Sequence, residues 1–339
     1  MQTNLMQADS SGILQAAQLL KQGELVAIPT ETVYGLAANA MDGTAVEKIF
    51  AAKGRPQDNP LIVHIDSIEM WKTLVVAVTE DAKKLADAFW PGPLTIILPH
   101  NGKVAEQVCA GLDTVAVRMP SHPVAQKVIA QSGLPLAAPS ANLSGSPSPT
   151  EAKYVLEDMQ GRIPLILEGG SCEVGVESTV ISLAGEKPVL LRPGYITKEQ
   201  LEQVLQKEVE IAHAVTHLLE QGEKVESPGM KYKHYAPKAQ VIILKGNALQ
   251  YQQYLQQHSH QGVAALCFEE DAPAMQIPFV VYGKENDPAS QARELFSALR
   301  KLDENGAEEV YARCPAEDGV ALAVYNRLLR AAAFRVVQL

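Results

Sequence analysis

The chain is short of cysteine, of positive charge and of long apolar runs, and each shortage closes off a class of protein. Its 339 residues include four cysteines, Cys109, Cys172, Cys267 and Cys314. They lie far apart and form no C-x-x-C pair. That excludes a zinc ribbon and a thioredoxin-type motif, and it favours reduced thiols over a secreted disulfide framework. Lys+Arg number 29 against 39 Asp+Glu, a formal net charge of -10. This balance argues against a sequence-independent nucleic-acid binder, which carries a Lys/Arg excess. It leaves room for a local basic cleft, because net charge is a sum and sites are local. No stretch approaches 18 uninterrupted apolar residues, so no transmembrane helix is expected. The polar start, Met1 to Ser11, lacks a basic residue followed by an apolar run. No signal peptide is expected from it, and the expected location is cytoplasmic.

Familiar catalytic signatures are missing too. There is no G-x-x-x-x-G-K-[ST] of a P-loop, no G-x-S-x-G elbow and no H-E-x-x-H. His213 and His217, four apart, would share a helix face but have no third ligand nearby in sequence, and His258 and His260 sit beside a glutamine run. Both read as surface pairs, and no metal site is expected.

What is present is an ordinary globular mix, 47% hydrophobic and 20% charged, long enough for two domains. Short apolar β-type runs recur at 25–28, 61–65, 94–98, 114–117, 136–138, 165–167 and 178–183. Helical patterns fall between several of them, at 44–52, 79–89, from 149 and at 197–206. Both strand-helix-strand and strand-turn-strand spacings occur, so the sheet is expected to be mixed. From Thr216 to Lys238 the texture changes to a polar, Pro-, Gly- and Tyr-containing stretch, a linker by composition whose aromatic and basic residues suggest docking. Strand and helix then alternate: strands at 240–244, 263–268, 279–282 and 309–312, helices at 248–256, 288–302 and 320–333. This predicts a small open α/β layer. The expected division is 9–200, a linker at 201–238, and a second domain at 239–339.

Five loops that follow or adjoin strands could carry chemistry. Pro29-Thr30-Glu31-Thr32-Val33-Tyr34-Gly35-Leu36 crowds hydroxyls, a carboxylate and a glycine into one turn; a plain helix-capping turn uses the same residues. Lys53-Gly54-Arg55-Pro56-Gln57-Asp58-Asn59-Pro60 puts two cations at a helix end. They could answer the helix dipole, or hold polyphosphate oxygens as a point charge and a planar fork. The stretch 138–150, rich in Ser, Pro and Asn, joins a strand to a helix and reads as an anion cradle or a connector. Glu177-Ser178-Thr179-Val180-Ile181 follows Gly169-Gly170 and Gly175. Leu191-Arg192-Pro193-Gly194, like Val117-Arg118-Met119-Pro120, puts an arginine at a strand end, where it needs an anionic partner.

Taken in order, P-T-E-T-V-Y-G-L, K-G-R-P with N-P-L and a histidine, P-S-A-N-x-S-G, S-T-V, L-R-P-G and the S-P-G-M-K-Y-K-H-Y-A-P linker resemble the two-domain form of the threonylcarbamoyl-AMP synthase family. The resemblance covers about the first 240 residues. It implies a YrdC-like twisted mixed α/β sheet with flanking helices around a basic cavity, followed by a small Rossmann-like α/β domain. It implies that L-threonine, bicarbonate and ATP, the last with Mg²⁺, give threonylcarbamoyl-adenylate and pyrophosphate. Downstream threonylcarbamoyl-transferase proteins then pass the group to a tRNA adenosine, and weak direct tRNA binding is compatible with the resemblance. Carried over by motif position, Lys53 and Arg55 are expected to be catalytic. Thr32, His64, Arg118 and Ser178 would bind threonine. Arg55, Asn59, Thr114, Ser140, Asn142, Ser148 and Arg192 would hold ATP, with Tyr235, helped by Tyr232, covering it and His234 beside it in a linker lid. Lys53→Ala and Arg55→Ala are expected to abolish turnover with little change in melting temperature. Two other classes were weighed. Hydrogenase-maturation carbamoyltransferases carry zinc-finger cysteine pairs that this chain lacks. A non-enzymatic RNA-binding module sits poorly with the acidic balance; a steep salt dependence of tRNA binding without nucleotide turnover would favour it.

Overall fold

The computed structural model describes residues 2–217 and 235–339. The linker residues Tyr232 and His234 lie outside the described residues. Two sheets organise the chain. The first has eleven strands in the spatial order Asn4–Gln7, Leu165–Glu168, Val26–Ile28, Gly35–Asn39, Leu136–Ala137, Ile62–His64, Thr114–Arg118, Leu94–Pro99, Thr179–Ser182, Val189–Arg192 and Glu210–Ile211. It is mixed, as expected: Ile62–His64 runs parallel to Thr114–Arg118, which is antiparallel to Leu94–Pro99. The register places His64 directly beside Arg118.

This sheet corrects the expected division of the chain. The strand Asn4–Gln7 pairs with Leu165–Glu168, and Glu210–Ile211 pairs with Val189–Arg192. The first unit therefore starts ahead of residue 9 and runs past 200, taking in what was expected to be the start of the linker. Two unexpected helices, Ser10–Lys21 and Pro123–Ser132, cover one part of the sheet through Ile13, Ala16, Leu20, Val128 and Ile129. A larger core built on Ile49, Phe50, Trp71 and Leu85 fills the space under the other helices.

Local chemistry explains the elements that carry the site. In the helix Gly43–Lys53, Asp42 accepts hydrogen bonds from the Thr44 and Ala45 amides at its start, while Val46, Ile49 and Phe50 face the core. Gly54, at φ 60°, ends it in the left-handed conformation, so the chain turns away just after Lys53.

The second sheet is wholly parallel, ordered Phe279–Val281, Val263–Cys267, Glu309–Arg313, Gln240–Lys245 and Val336–Gln338. Helices Pro288–Glu304 and Ala321–Ala331 turn toward the first unit. Val33 and Val176 of the first unit lie within the same apolar cluster as Leu295, Phe296, Val324 and Leu328. Contact is close enough that a Cβ on Gly175 would stand 2.3 Å from the Arg293 Cα, so only glycine fits there. Thr150 shares a 2.9 Å hydrogen bond with Ser297, and Arg300 pairs with Asp158 at 2.8 Å and donates to the Pro147 carbonyl at 2.6 Å. The second domain thus rests on the loops that the sequence marked for chemistry. Among the described residues no helix is long and apolar enough to cross a membrane.

Candidate active site

The loop 29–35 is the bend of a β-hairpin, not a helix cap: the strands Val26–Ile28 and Gly35–Asn39 that flank it pair antiparallel. The Thr30 hydroxyl ties the bend by donating to the Val33 carbonyl at 2.6 Å, and it lies 2.9 Å from the Thr32 hydroxyl. Glu31 is buried and faces Arg118, with 2.6 Å between Oε1 and NH2. Here is the anionic partner that an arginine at a strand end required. Arg118 also donates to the Thr32 hydroxyl at 2.8 Å and to the Gly92 carbonyl at 3.3 Å. Among the described residues Nε and NH1 donate hydrogen bonds while NH2 stands at ion-pair distance from Glu31 without one, so the guanidinium keeps donor capacity for an anion. Burial would raise the Glu31 carboxyl, but the charge and hydrogen bonding of Arg118 outweigh it and hold the group below its usual range.

His64 neighbours this pair. It is 3% exposed and its Nδ1 has no hydrogen-bond partner among the described residues. Burial, reinforced by the Arg118 charge, pulls its pKa down to about 3, so the ring is neutral at pH 7. The folded value lies below the ordinary 6.5, so the unfolded chain binds more protons between the two. The stability His64 contributes is complete above pH 6.5 and is lost as pH falls toward about 3. We expect wild type to lose up to about 1.4 kcal/mol per pH unit more than His64→Gln over this window. Urea unfolding at pH 7, 6, 5 and 4 measures it, and parallel slopes for the two proteins would contradict the neutral buried ring.

A second group of cations stands opposite. Lys53 is only 4% exposed, and its ammonium donates to the carbonyls of Asn142 at 2.7 Å and Ser140 at 2.5 Å. Burial and the neighbouring Arg55 push its pKa well below the ordinary lysine value. Arg55 is half-buried and donates to the Asn59 and Pro60 carbonyls, within its own loop. Arg192 donates to the Ser178 carbonyl at 3.0 Å and hydroxyl at 3.1 Å; that hydroxyl also lies 2.7 Å from Thr95 Oγ1. Burial draws both arginines down to about 10.

These groups line one cleft. Of the residues expected at the site, it brings together Thr32, Lys53, Arg55, His64 and Arg118, and with them Ser140, Asn142, Ser178, Arg192 and Tyr235. Three are elsewhere. Thr114 opens the strand that Arg118 closes, so the length of a five-residue strand separates them, and it lines a different surface hollow with Asp113 and Lys187. Ser148 is fully buried behind the cleft, its hydroxyl on Glu177. Asn59 is buried outside the lining, its Oδ1 without a partner. Two residues of weight went unforeseen. Glu177 lines the cleft, and Arg327 of the second domain, wholly buried, pairs with it at 2.9 Å. Tyr235, the first linker residue described after position 217, is 6% exposed, packs against Phe296 at 5.2 Å and lines the cleft beside the second domain. His213 and His217 stack at 4.2 Å, and no cluster of three metal-ligating side chains occurs among the described residues.

Two arginines that end strands, Arg118 and Arg192, and two cations at and just past a helix end, Lys53 and Arg55, face one cleft and define a two-domain α/β protein with a site suited to anions. Residues 18–194 match the family model described as telomere recombination, and residues 196–333 match the C-terminal domain of threonylcarbamoyl-AMP synthase. The chain is 48% identical to the threonylcarbamoyl-AMP synthase of Bacillus subtilis over 99% of its own length and 97% of that protein's. It is 39% identical to that of Schizosaccharomyces pombe, over 95% and 88%. Its fold superposes on Pyrococcus abyssi Sua5 complexed with L-threonine with a TM-score of 0.92 at 43% identity, covering 100% and 99% of the two chains. The chain belongs to the threonylcarbamoyl-AMP synthase family, in its two-domain form.

Proposed function

We propose that the cleft joins L-threonine, bicarbonate and ATP into threonylcarbamoyl-AMP. The observation that carries this is the coexistence, in one cleft, of an arginine with donor capacity to spare among the described residues beside a neutral histidine, and of three further cations. An amino acid needs the first, a triphosphate the second. Arg118 would take the threonine carboxylate, with Thr32, His64 and Ser178 around the rest of the molecule. A neutral His64 adds no second charge to compete for that carboxylate. Lys53, Arg55 and Arg192 would hold the phosphates, and Ser140 and Asn142 the nucleotide beside them. Asn59 and Ser148 support the nucleotide loops from behind in this arrangement.

The threonine nitrogen forms a C–N bond to carbon dioxide drawn from bicarbonate, losing a proton and leaving water. A carbamate oxygen then bonds to the α-phosphorus as the bond to the β-phosphate bridging oxygen breaks, and pyrophosphate departs. Such a transfer is limited by positioning and by neutralising charge, which the cations supply in a water-poor cleft. Magnesium would enter with the nucleotide and supply positive charge to the departing pyrophosphate. The product is a mixed anhydride open to hydrolysis, so the buried Tyr235 at the rim has a use in excluding water. Its chemistry makes it a donor to transferases acting on tRNA.

The test is pyrophosphate release. Purified protein with ATP, Mg²⁺, threonine and bicarbonate should release pyrophosphate in dependence on both threonine and bicarbonate. Release no greater than in a control without threonine would sink the proposal.

A further inference from the structure

Arg327 lies on the helix Ala321–Ala331 of the second domain, remote from every motif that marks the cleft in the sequence, and is 0% exposed. Its guanidinium reaches both cleft loops at once. Nε donates to Glu177 Oε2 at 2.9 Å, NH2 to the Glu177 carbonyl at 3.2 Å, and NH1 to the Pro193 carbonyl at 2.7 Å. Glu177 precedes Ser178 and Pro193 follows Arg192, and Ser178 and Arg192 are themselves hydrogen-bonded. The same guanidinium stands 5.9 Å from the centre of the Tyr235 ring. Asn326, beside it, fixes the helix by donating to the Val215 carbonyl at 2.6 Å. One side chain of the second domain therefore gathers three parts of the cleft wall.

Charge explains why that matters. Glu177 lines the cleft, and its other oxygen is occupied by the Ser148 hydroxyl. A carboxylate is an unwelcome neighbour for a triphosphate unless its charge is answered. Arg327 answers it from behind, so Arg192, which also acts electrostatically on Glu177, keeps its own charge for the ligand.

We propose that Arg327 is a positioning residue through which the second domain sets the nucleotide half of the cleft. It neutralises Glu177 and holds the Ser178 and Arg192 loops in register, and it meets the threonine half only through Ser178, without touching Thr32, His64 or Arg118. This rests on the assignment of phosphates to Lys53, Arg55 and Arg192 made above. It gives the second domain a function inside the reaction.

The experiment measures binding of a non-hydrolysable ATP analogue and of L-threonine, separately, to the full chain by calorimetry. Arg327→Met should weaken the analogue tenfold or more and leave threonine within about threefold, because only Ser178 of the residues assigned to threonine adjoins a loop that Arg327 holds, and Thr32, His64 and Arg118 do not touch it. Without its partner, Glu177 should capture Arg192. Adding Glu177→Gln to Arg327→Met removes the stranded charge and should recover most of the lost nucleotide affinity. Equal weakening of both ligands, no weakening, or no recovery in the double variant overturns the proposal, since a merely structural arginine would give one of these. If Arg327→Met does not fold, Arg327→Lys serves. One ammonium can reach Glu177 but not the Pro193 carbonyl as well, so a smaller loss confined to the nucleotide is expected, and a loss shared with threonine overturns the idea. Wild type that binds neither ligand would instead count against the assignment of substrates to the cleft.

Discussion

Arg118→Ala is expected to cost about 3–5 kcal/mol of folding stability and to lower threonine-dependent turnover at least about a hundredfold. The stability loss follows from Glu31. Its carboxylate is 5% exposed and has Arg118 as its ion-pair partner among the described residues. Removing the guanidinium strands a negative charge away from water, which costs more than the intact pair contributed. The activity loss has a different origin, the donor capacity that Arg118 keeps among the described residues and that is proposed to take the threonine carboxylate. The two effects separate in a second variant. Glu31→Gln combined with Arg118→Ala should recover most of the stability, because a neutral amide needs no cation, and none of the turnover. Urea unfolding and the pyrophosphate assay, run on both proteins, decide it. Turnover that returned together with stability would mean that Arg118 only holds the hairpin and that the threonine carboxylate binds elsewhere.

The motif loops were legible because each packs its chemistry into a few consecutive residues beside a strand. The Pro29 to Leu36 turn, the Lys53 to Asn59 loop and the Ser140 to Thr150 stretch all reach the one cleft or its rear wall. The order of strands was not legible. Leu165–Glu168 sits between Asn4–Gln7 and Val26–Ile28, a pairing across well over a hundred residues that no local pattern specifies. Gly35–Asn39 is a fully buried Gly-Leu-Ala-Ala run with neither alternation nor β-branched residues, so it carries no strand signal although both neighbours are strands. The helix Ser10–Lys21 is a different matter. Ile13, Ala16, Ala17 and Leu20 follow helical spacing, and Asp9 caps its start, so the signal was present in the sequence.

Thr114 and Arg327 show two ways in which a site assignment departs from the sequence pattern. A motif position says which strand a residue belongs to, but the ends of one strand face different surroundings, and Thr114 is at the wrong end. Arg327 belongs to no motif. It does sit in the apolar stripe Ala323, Val324, Leu328 and Ala331, where a charged side chain must meet a buried partner. That contradiction of the helical pattern was the available sign. The partner, Glu177, lies 150 residues away and could be supplied only by the fold.

Lys53 and Arg55 look equivalent in sequence, two cations around a glycine, and both alanine variants should lose about 10²–10³ in turnover. Their stabilities should nonetheless diverge. Lys53 spends its ammonium on the Ser140 and Asn142 carbonyls, joining the end of its helix to the neighbouring loop in a place closed to water. Lys53→Ala orphans both carbonyls, an expected loss of about 2–3 kcal/mol and a fall in melting temperature of about 5–10 °C. The expectation from sequence alone, that both variants keep their melting temperatures, is thereby revised for this residue. Arg55 is half-buried and, among the described residues, donates to carbonyls four and five residues on, so Arg55→Ala should stay within about 1 kcal/mol of wild type. Thermal unfolding of the two variants, beside their pyrophosphate release, gives the comparison. A wild-type melting temperature for Lys53→Ala would contradict its tie to the loop, and full turnover by Arg55→Ala would remove the planar fork from the phosphate site. The pairing of equal activity loss with unequal stability loss is what separates a cation that builds the cleft and serves in it from one that serves alone.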